Sequence, residues 1–261
     1  MVFNSAIFLI CFLPLFFLCY YLLPARFRNA FLLVGSLGFY AWGDPGNILL
    51  LLAASAATYG FGRAMAPSAP LARRRAVMWI GGTALLALLF VFKYLPFCAA
   101  VFGLSVKALP LPLGLSFFTF QALSYLLDVY HGRIEPERRV VPFALYLCMF
   151  PRVLQGPLMR YGALQPQLEA RSLRAADVSD GCFRFTIGLS KKLLLANALG
   201  PMVDAVWQTQ IGDVSVVTAW LALLAYALQI YFDFSGYTDM ALGLGRMMGF
   251  TFAENFNYPY L

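Results

Sequence analysis

Histidine occurs once in the 261 residues, at His131, and charge of either sign is scarce. Twelve residues are acidic and 19 basic, so 12% of the chain is charged, against about 25% in a soluble domain. The five cysteines, Cys11, Cys19, Cys98, Cys148 and Cys182, show no CxxC spacing and no Cys/His cluster. That argues against a zinc site and against a disulfide framework; small apolar packing is role enough for them. No GxSxG string offers a nucleophile elbow and no GxxxxGK loop a phosphate cradle. "GLGRMMG" at 243–249 lacks the dinucleotide spacing, and its Gly245 and Gly249 are expected to form a helix-packing face. His131 stands in "DVYHGRIEPE", at the mouth of an apolar run. A lone interfacial histidine is ordinarily a solvated basic residue, so the chain offers no histidine base of its own. There is no internal repeat, no low-complexity tract and, despite a net charge of +7, no nucleic-acid motif.

What is abundant is apolar surface: 61% of the residues are hydrophobic and the mean hydropathy is +0.74. Several runs approach the ~20 residues that cross a bilayer. The fold class expected is an all-α, multi-pass transmembrane protein, a single membrane domain over 1–261, with the lipid bilayer as its first partner. The expected spans are 3–23, 29–43, 47–66, 76–96, 112–130, 182–207, 215–234 and 236–252. The first, "MVFNSAIFLICFLPLFFLCYYLLP", has no basic residue ahead of it and reads as an uncleaved span rather than a secretory signal. Arg26 and Arg28, then Arg63 with Arg73, Arg74 and Arg75, then Arg133, Arg138 and Arg139 fall in the connections expected on the cytoplasmic side. There they can also meet anionic headgroups. "GDPG", Gly43 to Gly46, is then an external turn, and 161–181 a short cytoplasmic connector.

Residues 140–160, "VVPFALYLCMFPRVLQGPLMR", differ from the other runs. Pro151, Gly156 and Pro157 interrupt them, and proline removes a backbone donor and crowds the preceding turn. Such a backbone is tolerated at membrane depth only where protein or water satisfies it. Basic residues flank both ends, which predicts a re-entrant hairpin from the cytoplasm; an ordinary kinked span is the alternative.

"QIYFDFSGYTDMALGLGRMMGF", 229–250, places Gln229, Asp233, Ser235 and Asp239 after an apolar run. Gln229 and Asp233 share a helix face, as do Ser235 and Asp239. A carboxylate at membrane depth costs ~2.5–3.5 kcal/mol on insertion scales. Either the two aspartates flank a helix break at Ser235-Gly236 and cap the next span, or at least one lines a polar tunnel.

The string "YFDFSGYTDMALGLG" resembles a signature of the membrane-bound O-acyltransferase family, in its bacterial alginate O-acetyltransferase-like branch. The opening through "FYAWG", "LPLGLSFFTFQALSYLLDVYHG", "MFPRVLQGPLMRY", "GLSKKLLLAN" and "ENFNYPYL" resemble further landmarks in the same order, over nearly the whole chain. The resemblance implies a helical body with a tunnel through a thinned membrane zone, in the bacterial inner membrane. An acyl donor, acetyl-CoA as substrate rather than bound cofactor, would enter from the cytoplasm. The acetyl group would leave toward an exported polysaccharide such as alginate, through a periplasmic acyl-acceptor or polysaccharide-modification partner. The family's catalytic histidine follows the last landmark, so the resemblance implies an N-terminal half with no catalytic residue within 1–261. The candidates for tunnel or substrate contact are Asp233, Ser235, Tyr237, Asp239, Gln155, Arg160 and Asn257; no metal is expected. A transporter or channel, and an inactive membrane scaffold, are the rival readings.

Overall fold

The computed structural model describes residues 3–256, and among them every regular element is a helix. A π-helical turn, Ile7–Phe12, leads into α1 (Leu13–Leu22). Then come α2 (Ala25–Gly43), α3 (Ile48–Ala64) and α4 (Leu71–Leu89). A second π turn, Phe90–Tyr94, continues α4 into α5 (Leu95–Val101). Next are α6 (Leu115–Tyr130), α7 (Val140–Cys148), α8 (Phe150–Val153) and α9 (Tyr161–Glu169). The chain ends in α10 (Ala175–Ser190), a third π turn at Lys191–Ala196, α11 (Asn197–Trp207) and α12 (Val216–Met247). Two rods, Leu71–Val101 and Val216–Met247, are long and apolar enough to cross a membrane, and Ile7–Leu22 and Ile48–Ala64 are shorter apolar helices. Leu22, Trp79, Trp220 and Leu224 stand exposed on them, as suits an all-α membrane protein.

One expectation is corrected here. The break at Ser235-Gly236 does not exist: α12 runs unbroken for 32 residues. Its start is capped by Ser215, whose Oγ accepts from the Thr218 amide at 3.1 Å. Asp233 and Asp239 are therefore interior residues of one helix and cap nothing. A glycine inside a helix costs only about 1 kcal/mol, and Gly236 has a use that offsets it, given below.

The described residues fall into two compact units. One holds Ile10–Leu154 with Leu158–Arg171; the other holds the residues ahead of Ile10, Gln155–Pro157 and the chain from Ser172 onward.

In the first unit the basic connections gather at one end. Arg74 of α4 donates to the Tyr130 carbonyl at the end of α6 (2.7 Å), and the Tyr59 hydroxyl of α3 donates to the Arg138 carbonyl (2.6 Å). Arg171 donates to the Asn29 amide oxygen (2.7 Å) and the Tyr20 hydroxyl (2.8 Å). The "GDPG" turn lies at the opposite end: Asp44 accepts from the Leu113 amide at 3.0 Å, just ahead of α6. This is the charge asymmetry expected of a chain oriented by its arginines.

The residues that flank the expected hairpin, 140–160, meet each other. Both feet are tied together, Arg139 to Glu169 at 2.7 Å and the Tyr161 hydroxyl to Glu137. Between them α7 rises nine residues, breaks at Met149 (ψ 119°) and turns through α8. The freed Phe150 amide donates to Ser36 Oγ of α2 at 3.0 Å, and the Phe150 ring sits 5.2–5.7 Å from those of Phe12, Phe16 and Phe39. The tip reaches the far end of α6. Gly114, at φ +69°, lies so close to the Val153 carbonyl that a Cβ there would be 2.0 Å from its oxygen.

Glu137 holds the feet. Burial alone would raise its pKa, but hydrogen bonds from Tyr161, from the Arg139 guanidinium and from the Arg139 amide outweigh burial and leave the carboxyl below its ordinary range. A depressed carboxyl stabilises the fold above its unfolded pKa, near 4.3, and the contribution is lost as pH falls through the lower folded value. Melting of the detergent-purified chain should therefore drop below about pH 4. Glu137→Gln should lower stability by about 2 kcal/mol at pH 7 and flatten that acid limb; an unchanged acid limb would remove Glu137 from the account. Separately, cysteines at Glu135 and Ala170, in a chain with its own five cysteines replaced, should react from the same membrane face and one at Gly46 from the other. Labelling of Glu135→Cys and Ala170→Cys from opposite faces would replace the hairpin with a span.

Candidate functional site

The second unit is built on four glycines. Gly181 and Gly188 of α10 lie seven residues apart, as do Gly236 and Gly243 of α12, so each pair stays on one helical face. The helices run antiparallel, Gly188 against Gly236 and Gly181 against Gly243. A Cβ at Gly188 would lie 2.5 Å from the Gly236 carbonyl oxygen, and one at Gly243 would lie 2.5 Å from that of Gly181. Only residues without side chains permit this approach, the small-residue packing common between helices in lipid. The expected packing pair was different. Gly245 receives the Phe252 ring, and Gly249, at φ +83°, closes the turn after α12. The seven-residue spacing at 181/188 and 236/243 was the signal that marked the seam.

Charged side chains lie along the seam. Asp239, 4% exposed, accepts from the Arg184 guanidinium on Oδ1 and from Lys191 Nζ on Oδ2, both at 2.6 Å. Arg184 reaches on to Glu254 at 2.7 Å, and Lys192 pairs with Asp233. Lys191 and Lys192 are sequence neighbours, about 100° apart on an α-helix, yet both reach α12; they open the π turn, where the widened backbone re-aims side chains. Three cations thus meet three carboxylates. Gln229, one turn before Asp233, lies against Gly200 of α11.

Beside the charges lie hydroxyls without partners. Ser235, Tyr237 and Thr238 are buried; Ser235 Oγ and Thr238 Oγ1 make no hydrogen bond among the described residues, whereas the Tyr237 hydroxyl is within hydrogen-bonding reach of the Gln155 backbone. Each such group left unpaired in an apolar setting costs about 1–3 kcal/mol. The Tyr237 ring is stacked on Phe3 at 4.7 Å. Toward Arg184 and Glu254 the seam opens into a cavity of about 390 Å³, also lined by Asp180, Phe183, Ile187 and Arg246.

Of the residues anticipated from sequence, Asp233, Ser235, Tyr237 and Asp239 come together on α12. Gln155 belongs to the second unit and is exposed; Arg160 belongs to the first and is exposed as well. Asn257 lies outside the described residues. The partners that the motif reading missed are Arg184, Lys191, Lys192 and Glu254. His131 ends α6, its Nδ1 2.8 Å from the Leu127 carbonyl oxygen; no acidic or nucleophilic side chain bonds to it among the described residues.

The protein named "Probable alginate O-acetylase AlgI" in Azotobacter vinelandii is 40% identical over 273 aligned residues, which take in all of this chain and 54% of that protein. Its namesake in Pseudomonas aeruginosa is 39% identical, covering all of this chain and 52% of its own length. A peptidoglycan O-acetyltransferase of Helicobacter pylori is 31% identical over 298 residues, again all of this chain and 56% of the relative. No family model matches the chain. The chain spans about half the length of the curated relatives it matches. The resemblance to the bacterial O-acetyltransferase branch read from the motifs is borne out along the whole chain.

The seam makes a stability prediction. Gly188→Ala and Gly243→Ala should each cost about 1–3 kcal/mol, the range for overpacking. Gly38→Ala and Gly60→Ala, whose new Cβ atoms would meet nothing within 4 Å, should be neutral or stabilising by up to about 1 kcal/mol. Thermal melting in detergent checks this; equal effects at all four positions would dissolve the seam as a special contact.

Proposed function

We propose that this chain, homologous along its full length to alginate O-acetylases, is part of a multi-pass O-acetyltransferase of the bacterial inner membrane that acetylates an exported polysaccharide. The observation that carries the reading is similarity along all of this chain to relatives named for two different polysaccharide acceptors, alginate and peptidoglycan. The donor of this reading is a cytoplasmic thioester, acetyl-CoA, and the onward acceptor is a periplasmic partner that passes acetyl to the polymer. The reacting histidine of the family type is not His131, which is engaged as a helix end.

In this reading the α12 face contributes position rather than proton transfer. Arg184, Lys191 and Asp239 hold α10 and α12 in register at a site of low dielectric, where paired charges resist displacement. Ser235, Tyr237 and Thr238 then present hydroxyls at fixed places along the tunnel wall. A tunnel reached from both membrane faces brings donor and acceptor to one point without a diffusing intermediate.

The test uses the full-length gene in a strain lacking its own copy, with polysaccharide acetate esters and membrane abundance measured together. Deletion should abolish ester acetate and the wild-type gene restore it. Ser235→Ala and Thr238→Val, which remove unpartnered hydroxyls, should leave abundance unchanged and lower acetylation by about tenfold, the worth of one hydrogen bond to a reacting group. Asp239→Asn should lower abundance and acetylation together, because it leaves Arg184 and Lys191 facing each other without their carboxylate. His131→Ala should change neither. Full acetylation by both hydroxyl variants would remove the α12 face from the site, and restored transport of a solute without ester acetate would replace the enzyme with a transporter.

A further inference from the structure

The rod that begins with the arginines of α4 ends in a stretch whose side chains and backbone call for different surroundings. Twenty residues separate Arg73 from Lys93, about 30 Å of helix, the thickness of the hydrocarbon core of a bilayer. Residues 76–92 between them carry no charge. Beyond Lys93, α5 and the chain that follows expose one apolar side chain after another: Phe97, Val101, Phe102, Leu104, Leu109 and Leu111, with Phe102 80% exposed. Yet residues 105–111 have no regular structure, and their amides make no hydrogen bond among the described residues. Bulk water would leave these side chains as a bare apolar patch, and hydrocarbon would leave the backbone unpaired. The headgroup boundary of a membrane accommodates both, because apolar side chains dip into the acyl region while water still reaches the backbone.

The charges on this stretch are of one sign. Lys93 and Lys107 are exposed and form no ion pair among the described residues. No acidic residue occurs between Asp44 and Asp128. Asp44 itself is engaged, accepting from the Leu113 amide at 3.0 Å and from the Asn47 side-chain amide at 2.9 Å. Lys93 lies over the Tyr94 ring at 5.6 Å, and tyrosine is enriched where a span meets the headgroups. From Tyr94 toward the middle of the rod, Thr83, Leu86, Ala87, Leu89 and Phe90 line a shallow, largely apolar groove of about 420 Å³. An ammonium at the end of an apolar groove suits a molecule with a phosphate at one end and an acyl chain at the other.

We propose that residues 93–111 form a phospholipid-binding rim, at the end of the first unit opposite its arginines. Lys93 and Lys107 take the phosphates of anionic lipids, the groove along α4 takes an acyl chain, and the apolar side chains from Phe97 to Leu111 sit in the headgroup boundary. Such a rim does not depend on the acetyl-transfer reading. Residues 97–111 are then not a free loop between the spans expected at 76–96 and 112–130, but a segment lying on the membrane.

The full-length protein, with its cysteines replaced and reconstituted in lipid nanodiscs, tests the rim. An environment-sensitive fluorophore is attached at Phe102→Cys, Leu104→Cys or Leu109→Cys, and at Gly46→Cys for comparison. Spin-labelled lipid should quench the first three, and aqueous iodide should quench chiefly the probe at Gly46→Cys. In detergent, phosphatidylglycerol should bind the parent protein more tightly than phosphatidylcholine. Lys93→Gln and Lys107→Gln should each weaken phosphatidylglycerol about fivefold, the worth of one lysine at an anionic surface, and leave phosphatidylcholine nearly unchanged. Ala87→Trp, which fills the groove, should weaken both lipids. The substituted rim positions are exposed, so the melting temperature should hold in every variant. The rim is overturned if iodide quenches all four probes alike, or if phosphatidylglycerol binds the lysine variants as it binds the parent. Exclusion of both quenchers would also overturn it, since another part of the protein would then cover the segment.

Discussion

Backbone contact between α10 and α12 is the constraint on which the second unit depends. Where Gly188 meets Gly236 and Gly181 meets Gly243, no side chain separates the two helices. That closeness lets Arg184 and Lys191 on one helix converge on a single carboxylate of the other, at 2.6 Å each. A bulkier seam would hold the helices apart, and the long cations would have to find their partners across lipid. Glycine contact and ion pairing are therefore one device, in which the first supplies the distance and the second the register.

The hairpin of the first unit solves a different problem, the need of an irregular backbone in an apolar setting to satisfy its polar groups. Its partners can be named one by one. Ser36 receives the Phe150 amide, Arg152 reaches the Met159 carbonyl, and Glu137 accepts the amides of Arg138 and Arg139 at 2.8 Å. Phe12, Phe16 and Phe39 supply the apolar socket. Pro151, which closes off α-helix, and Gly114, which admits a carbonyl where any side chain would collide, make the turn possible.

The helical class and the interruption of 140–160 were legible because their signals are local, apolar run length and prolines within a run, whereas the expected spans 215–234 and 236–252 proved to belong to one helix. The break at Ser235-Gly236 was misread because a glycine beside a serine looks alike whether it ends a helix or admits a neighbouring backbone; only Gly188, 48 positions earlier, decides between them. Asp233 and Asp239 stood out as charges in an apolar run, but their partners Arg184, Lys191 and Lys192 lay inside the expected span 182–207 and were not matched to them. The seven-residue interval from Arg184 to Lys191 was visible, and pointed to a shared face.

The direction of these pairings bears on how the chain is made. Every partner of the hairpin tip, from Phe12 through Ser36 to Gly114, is synthesised before the tip itself, so the hairpin emerges into a socket already in place. The charged seam has the reverse order. Arg184, Lys191 and Lys192 leave the ribosome some 40 to 55 residues ahead of Asp233 and Asp239. In that interval each lacks the carboxylate that it meets in the folded unit. The rod from Ala175 to Trp207 thus gains these counter-charges only when α12 arrives.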